Sequence, residues 1–530
     1  MKSTLFSYSI PHMMAGLSAL LVFPALLTNL GMLAFIDDEA IRALVTLEMM
    51  LSGNFITPTL QGEFYYNKPP LYNWMLIPLY SLFSKPEEWM SRFYTVLALL
   101  LFCFSIFRAF RPQYGARIAM LTALAFLTTG RVLFWESFLG LIDMWFSLTM
   151  FGMFMVVYRG YARRAPLFLF ACAYALAAAG FLFKGLPAIV FLGGTLLAGG
   201  LFFKQWRQWF SWQHIVGAGI FVSVVGGYYA LYSQIHPLEE LWFRLVDESA
   251  KRTPVQKSFT ETIFHLVSFP FEVVYHFLPW TLFAGVFAVR SVRQALFQNK
   301  LTGFLLLTLG LNSIPYWLSP EVYPRYLLML LPLLLGPSLF GARLLEKKYP
   351  ASWRMLMNFF LGVMILLVPA SVLPMVWDRL AEIPFRFVKS LFLLVGMTGL
   401  VGVAFRARRY VIWALIPFLL LVRLGFDWFV IPDRVAHDLG HLSRQASIRI
   451  GELTRGEKLY IYNESAHGVL NDFHLTAERG EIVRIEHSEH PDPTAWYLID
   501  PHFARQVSHF TRDSMPLRHD TMLIRLVRLK

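Results

Sequence analysis

Three acids stand side by side at Asp37, Asp38 and Glu39, directly after an apolar run that ends near residue 35. Carboxylates crowded at a membrane boundary lose hydration and repel one another, which favours proton uptake. A carboxylate in that state suits general-base work near neutral pH. The plainer reading is a solvated helix start, where the helix dipole favours acids. Asp143, in the stretch SFLGLIDMWFSL, is a second acid at the end of an apolar run. Cations occupy similar boundaries: Lys68 before Pro69 and Pro70, Lys184 in Lys-Gly-Leu-Pro, Arg252 in a mixed-charge stretch, and Arg325 before Tyr326. Each has a structural alternative. Lys68 and Lys184 could anchor an interface, and Arg252 could be solvated beside Lys251 and Lys257. Arg325 could mark a helix start, and Asp143 could pair with a neighbouring helix. The pairs Glu261/His265 and Glu272/His276 place a carboxylate and an imidazole on one helical face, a spacing that can ligate a metal but more often serves interfacial hydrogen bonding. Asn463-Glu464-Ser465 matches a glycosylation sequon at chance level.

These residues need a scaffold, and the composition says which solvent it uses. Of 530 residues, 56% are hydrophobic and 15% charged, with mean hydropathy +0.52. Soluble chains carry about 25% charged residues, so this one must be solvated by lipid. Cys103 and Cys172 both lie in apolar runs, and neither a disulfide framework nor a cysteine metal site is readable. Thirteen stretches are apolar for about 20 residues, the length a helix needs to cross a bilayer. They are 12–35, 90–108, 117–135, 140–158, 166–182, 186–203, 214–232, 268–288, 301–318, 326–342, 355–375, 387–404 and 410–430.

Loop charges orient the scaffold. With Met1 in the cytoplasm, one set of loops carries nearly all the Lys and Arg, from Arg108 and Arg111 to Arg408 and Arg409, and the other set carries the acids. That asymmetry follows the positive-inside tendency and accounts for most of the net charge of +13, leaving little to support nucleic-acid binding. Two external loops, 36–89 and 233–267, exceed simple turns. The first reads as two amphipathic pieces, 38–51 and 69–83, joined by a Gly/Pro/aromatic linker. Residues 1–432 form the expected membrane domain. Residues 433–530 turn polar and read as a small α/β domain outside the membrane, with strands at 458–462, 482–486, 495–499 and 522–527 and helices at 465–475 and 501–510.

From Asp38 to Trp74 the sequence runs DEAIRALVTLEMMLSGNFITPTLQGEFYYNKPPLYNW. This resembles the first-loop signature of bacterial membrane glycosyltransferases of the aminoarabinose transferase and protein O-mannosyltransferase superfamily. Asp38, Glu39, Ser52, Gly53, Pro58, Gly62, Tyr66, Lys68, Pro69, Pro70 and Trp74 carry the resemblance. Asp143 is similar to the family's second aspartate. Lys184-Gly185-Leu186-Pro187 is similar to its Lys-Gly-Pro turn, and Pro324-Arg325-Tyr326 resembles the start of a later span. The stretch Asp247–Arg252 falls where the family has an Arg-bearing segment.

The resemblance implies an all-α polytopic C-type glycosyltransferase fold whose site lies at the external face of a bacterial inner membrane, with a periplasmic C-terminal domain. It implies transfer of a sugar from polyprenyl (undecaprenyl) phosphate to a lipid A, glycan or protein hydroxyl acceptor, by a monomer without a cofactor. Such a donor has a good leaving group, so the reaction needs a base and cations for the phosphate. Asp38 is the candidate base and Asp143 the second. Lys68, Arg252, Arg325 and Tyr326 are candidate phosphate ligands. Asp37, Glu39, Tyr66, Asn67 and Lys184 are further site candidates. A single displacement would invert the anomeric centre, whereas a retaining route would need a carboxylate nucleophile. Where the family often has Arg, this chain has Ile41, with Arg42 one step later. Asn67 and Asp247 replace residues that ligate a metal in some members, so no metal is expected. The rival reading is a transporter or flippase of a lipid-linked substrate, which would place charges at mid-bilayer and break helices in paired halves.

Overall fold

The computed structural model describes residues 2–241, 243, 259–319, 322–463, 465, 468–487, 491–517 and 520–529. Helices dominate, and they follow the apolar runs. The first eight are α1 (Lys2–Leu27), α2 (Glu39–Ser52), α3 (Leu71–Tyr80), α4 (Glu88–Tyr114), α5 (Ala116–Leu127), α6 (Asp143–Arg163), α7 (Pro166–Lys184) and α8 (Pro187–Phe203). Among the described residues, eight helices are long and apolar enough to cross a membrane, and α5 and α8 are shorter apolar helices. The protein is a multi-pass membrane protein.

Some runs do not form one continuous α-helix. The run 117–135 divides into α5 and a π-helical turn, Val132–Glu136. The run 268–288 leaves α-helix at His276 and continues as a 3-10 segment, Trp280–Ala288, after Pro279, which has no N–H to give an α-helical ladder. The run 326–342 opens with a 3-10 turn, Pro324–Leu327, and its helix begins only at Leu331. These departures lie where a charged residue or proline interrupts the apolar pattern, and the runs 355–375 and 410–430 likewise pass into a 3-10 turn at Val368–Ser371 and a π-helical turn at Phe426–Val430.

The loop 36–89 holds the two expected helices, α2 and α3, joined by a two-stranded hairpin of β1 (Thr59–Leu60) and β2 (Glu63–Phe64). Helix α2 stops at Gly53, whose left-handed φ of 67° suits a residue without Cβ. The hairpin is tied to α2 by Glu48, whose buried carboxylate accepts hydrogen bonds from Thr59 Oγ1 (2.6 Å), Gln61 N (2.6 Å) and Gly62 N (3.1 Å).

The C-terminal domain is a five-stranded mixed sheet in the order β4-β3-β5-β7-β6. Its strands are β3 (Leu459–Tyr462), β4 (Arg484–Glu486), β5 (Trp496–Ile499), β6 (His509–Leu517) and β7 (Asp520–Leu529). Alternating residues split its core between two faces: Leu459, Ile461, Leu498 and Leu526 pack with Ala446, Ile450 and Leu475 of the covering helices, while Tyr497, Ile499 and Val527 face the other way. The expected helix at 501–510 is only Pro501–Ala504, and β6 takes over from His509. Its sequence, HFTRDSMPL, lacks alternation, yet eight register pairs with β7 impose a strand on it.

Helix Val469–Arg479 joins this domain to the membrane part. Its Phe473 belongs to the same hydrophobic core as the spans. Around it, Gln61 Nε2 donates to Asp472 Oδ2 at 2.6 Å and Lys85 Nζ to Glu478 Oε2 at 2.7 Å. The buried Glu88 lies 3.2 Å from His474 and 3.3 Å from Arg444. The loop that carries the acid triplet is therefore tied to the C-terminal domain by hydrogen bonds and ion pairs.

Candidate active site

The chain turns at Asp37, a non-glycine residue with φ of 58°, and enters α2 through Asp38. Asp38 occupies the N-cap position but its side chain makes no capping hydrogen bond. Its carboxylate is 46% exposed, so it is neither buried nor consumed by the helix it precedes. Glu39, the first helical residue, behaves differently. Its carboxylate is fully buried, takes two bonds from Arg92 (2.9 and 3.0 Å) and accepts from Ile36 N (2.8 Å) and Gly140 N (2.6 Å). Arg92 also donates to the carbonyls of Leu30, Leu33 and Ala34. Glu39 is a brace for the turn and does not line the cleft.

Gly140 permits that brace, since a Cβ there would fall 2.4 Å from Ser91 Oγ. Its carbonyl accepts from the buried Tyr72 hydroxyl at 2.8 Å, which locks α3 to the segment leading into α6. Asp143 then opens α6, and an acid in the first turn complements the helix dipole. Lys184 is the last residue of α7, where a cation is favoured, and Gly185 breaks the helix before Pro187 starts α8. The Lys-Gly-Leu-Pro stretch is thus the turn its residue types predict.

Arg325 gathers the acids. It lies in the 3-10 turn Pro324–Leu327, buried at 4% exposure, and pairs with Asp37. Its Nη2 is 3.5 Å from Asp38 Oδ2, and its Nε is 3.8 Å from Asp143 Oδ2. Burial alone would lower its pKa, but Asp143 and Asp37 outweigh that and hold it above the usual guanidinium value. Lys184 pairs with Asp143 on the other side, and its Nζ stands 3.9 Å from the centre of the Tyr326 ring. The second aspartate therefore lies between two cations, and Arg325 connects all three aspartates across the fold.

These groups open onto one cleft of about 130 Å³, lined by Asp38, Asn67, Lys68, Asp143, Lys184, Arg325 and Tyr326 together with Ile41, Arg42, Tyr65, Leu141 and Ile142. Seven residues singled out by sequence thus meet at one place, although Asp38 and Arg325 are 287 residues apart. Lys68 Nζ donates to its neighbour's carbonyl, Asn67 O, at 3.0 Å, with Pro69 and Pro70 leading into α3. Tyr66 is outside the lining; its hydroxyl donates to Glu240 Oε2 at 2.9 Å and contacts His236 Nε2 at 2.8 Å. Asp37 pairs with Arg325 and is outside the lining.

Arg252 and Asp247 lie outside the described residues, as does the side chain of Glu261. His265 Nε2 is 3.2 Å from the Tyr316 carbonyl, and Glu272 accepts from Ser268 Oγ at 2.5 Å. Among the described residues there is no group of three His, Cys, Asp or Glu side chains placed to hold a metal ion.

Sequence reasoning passed over three contributors. Arg42 and Tyr65 line the cleft, with the guanidinium 5.4 Å from the ring centre. Glu136, buried beside Arg131 at 2.7 Å, is electrostatically coupled to Asp143 and Arg325. The signal for Arg42 was available: it is four residues after Asp38, so both lie on one face of α2. A register that expected Arg at position 41 concealed it.

Residues 67–227 match the family model of the dolichyl-phosphate-mannose-protein mannosyltransferases. An uncharacterized protein of Aquifex aeolicus is 26% identical over 318 residues, covering 56% of this chain and 59% of that protein. The structure resembles crystal structures of ArnT from Cupriavidus metallidurans. One, bound to undecaprenyl phosphate, matches with TM-score 0.69 and 18% identity over 97% of each chain. The apo form matches with TM-score 0.65 and 18% identity over 100% of this chain and 98% of that one. The chain thus shares the ArnT fold along its whole length, and the stretch that carries Asn67, Lys68, Asp143 and Lys184 matches the mannosyltransferase family model.

Proposed function

We propose that the protein is a membrane glycosyltransferase that moves a sugar from a polyprenyl phosphate to a hydroxyl acceptor in this cleft. The observation that carries the reading is the convergence of Asp38, Asp143, Lys68, Arg325 and Tyr326 on one cavity. An ArnT of the same fold binds undecaprenyl phosphate, which supports a lipid phosphate as the donor's carrier.

Asp38 is the base. It is half exposed, free of capping duty and one ion-pair distance from Arg325. As the acceptor oxygen attacks the anomeric carbon, its proton passes to Asp38, and the carbon–oxygen bond to the phosphate breaks with its electron pair leaving on the phosphate. Lys68 faces that developing charge as a point cation set in a stiff turn. Asp143 is held by Lys184 and Arg325 and orders them, and Tyr326 supports the Lys184 ammonium on its ring face. A single displacement of this kind inverts the anomeric centre.

The site face and the C-terminal domain lie on the external side of the inner membrane in this reading, which rests on the loop charge asymmetry. Acceptor classes compatible with it are a lipid, a glycan or a protein hydroxyl. The charges converge at one cleft, which favours chemistry over the transporter alternative. Purified protein supplied with a polyprenyl-phosphate sugar and envelope acceptors tests the reading: polyprenyl phosphate should be released and a glycosylated product should appear. Passage of the lipid across a vesicle membrane without release would contradict it.

A further inference from the structure

Most of the cations in the cleft are already engaged. Arg325 is shared among Asp37, Asp38 and Asp143, and Lys184 is paired with Asp143. Arg42 is not. It is buried at 4% exposure and lines the cleft, and its Nη1 has no hydrogen-bond partner among the described residues. The acids on its own helix are committed elsewhere, Glu39 to Arg92 and Glu48 to the β1–β2 hairpin. A buried guanidinium N–H without an acceptor is costly, so such a group in a native structure calls for an explanation, and a bound anion is one that fits a residue lining a cleft.

The backbone beneath Arg42 is held firmly. Its carbonyl accepts from Thr46 Oγ1 at 2.8 Å and from Asn73 Nδ2 at 3.0 Å, which ties α2 to α3. Its guanidinium stands 5.4 Å from the centre of the Tyr65 ring, a contact that orients the planar fork. Charge balance points to the ligand's sign: the lining holds the cations Arg42, Lys68, Lys184 and Arg325 against the carboxylates Asp38 and Asp143, and Asp37 on Arg325 still leaves one cation in excess. Spacing points to its place. Residues four apart on a helix have Cβ atoms about 6 Å apart, so an anion held by Arg42 would sit beside Asp38, the group that must reach the reacting carbon.

Building on the transferase reading, we infer that Arg42 is the guanidinium ligand of the donor's phosphate, while Arg325 serves as the clamp that orders the three aspartates. The phosphate meets a rigid pair, Arg42 from α2 and Lys68 from the turn before α3. The same helix that carries the base then fixes the leaving group, so their separation is set by one rigid element.

The test compares full-length wild type with Arg42→Met and Arg42→Lys in nanodiscs, using undecaprenyl phosphate and uncharged undecaprenol as probes. Arg42→Met should bind undecaprenyl phosphate roughly 10- to 100-fold more weakly, with undecaprenol binding unchanged. Arg42→Lys should fall between, since it keeps charge without the fork. Unliganded Arg42→Met should melt at or above the wild-type temperature, because an unmatched buried donor has been removed. Equal loss for both lipids, or a large drop in unliganded stability, would assign Arg42 to packing and overturn the inference. Undiminished phosphate binding by Arg42→Met would overturn it while leaving the transferase reading intact. Wild type that does not bind undecaprenyl phosphate at all would sink both.

Discussion

Glu39 and Arg92, 53 residues apart in sequence, form a two-pronged ion pair from which both side chains are wholly excluded from solvent, with N–O distances of 2.9 and 3.0 Å. The pair ties the start of α2 to α4, and Arg92 adds three carbonyls of the turn that leads to Asp37. Removing one partner of such a pair leaves an unmatched buried charge and costs about 3–5 kcal/mol. Glu39→Ala should therefore lower the melting temperature of the purified protein sharply and reduce its yield. Normal stability with lost turnover would instead return Glu39 to the chemistry.

Asp38, its immediate neighbour, should separate the other way. Asp38→Asn keeps shape but cannot accept the proton, and loss of a general base costs roughly 10²–10⁴-fold in rate. Melting temperature and undecaprenyl phosphate binding should stay near wild type. Asp37→Asn should be milder, since Asp37 does not line the cleft. Comparison of turnover for both variants at matched expression checks this; a dead Asp37→Asn beside an active Asp38→Asn would move the base by one residue.

The contrast between these neighbours shows how far sequence could lead. The acid triplet, the stiff turn at Lys68-Pro69-Pro70 and the Lys-Gly-Leu-Pro break are local features, and local physics places them correctly. Apolar runs likewise locate the helices, because lipid leaves the backbone no other partner than itself. What sequence hid was long-range pairing. Nothing near Glu39 announces Arg92, and nothing near Asp143 announces Arg325, 182 positions later. The strand β6 was illegible for the same reason: its partner β7, not its own pattern, makes it a strand.

Lys68 should matter for leaving-group charge. Lys68→Ala should lower turnover by about 10²–10³-fold, in the range of lost transition-state donors. Lys68→Arg should not restore it fully, because the prolines fix the position and the guanidinium is larger and planar. Steady-state kinetics with a polyprenyl-phosphate sugar checks both; wild-type rates for the two variants would leave Lys68 as an interfacial anchor.

Glu48 makes stability depend on pH. Burial raises its pKa above the usual carboxylate value, and Asp472 adds to that, while the bonds from Thr59, Gly62 and Gln61 pull back without cancelling it. A carboxyl that binds its proton more tightly in the folded state imposes no ionisation cost below its unfolded pKa. That cost grows as pH rises through the folded value. Relative to Glu48→Gln, the wild type should therefore lose melting temperature between pH 4.5 and the raised folded value. Parallel pH profiles for the two proteins would contradict this.

Metal dependence offers an independent check on the chemistry. Asn67, whose side chain carries no carboxylate to offer a cation, lines the cleft, so turnover should persist in excess chelator. A complete loss restored by a divalent cation would direct attention to Glu272, His265 and His276.

The most direct measurement of the central claim is release of polyprenyl phosphate by purified protein in nanodiscs given a polyprenyl-phosphate sugar and envelope acceptor, wild type against Asp38→Asn. The geometry of the cleft predicts stoichiometric release and product formation by the wild type, with Asp38→Asn reduced by two orders of magnitude or more while still binding the lipid phosphate. Equal release by both proteins, or none by a wild type that binds the donor, would contradict it.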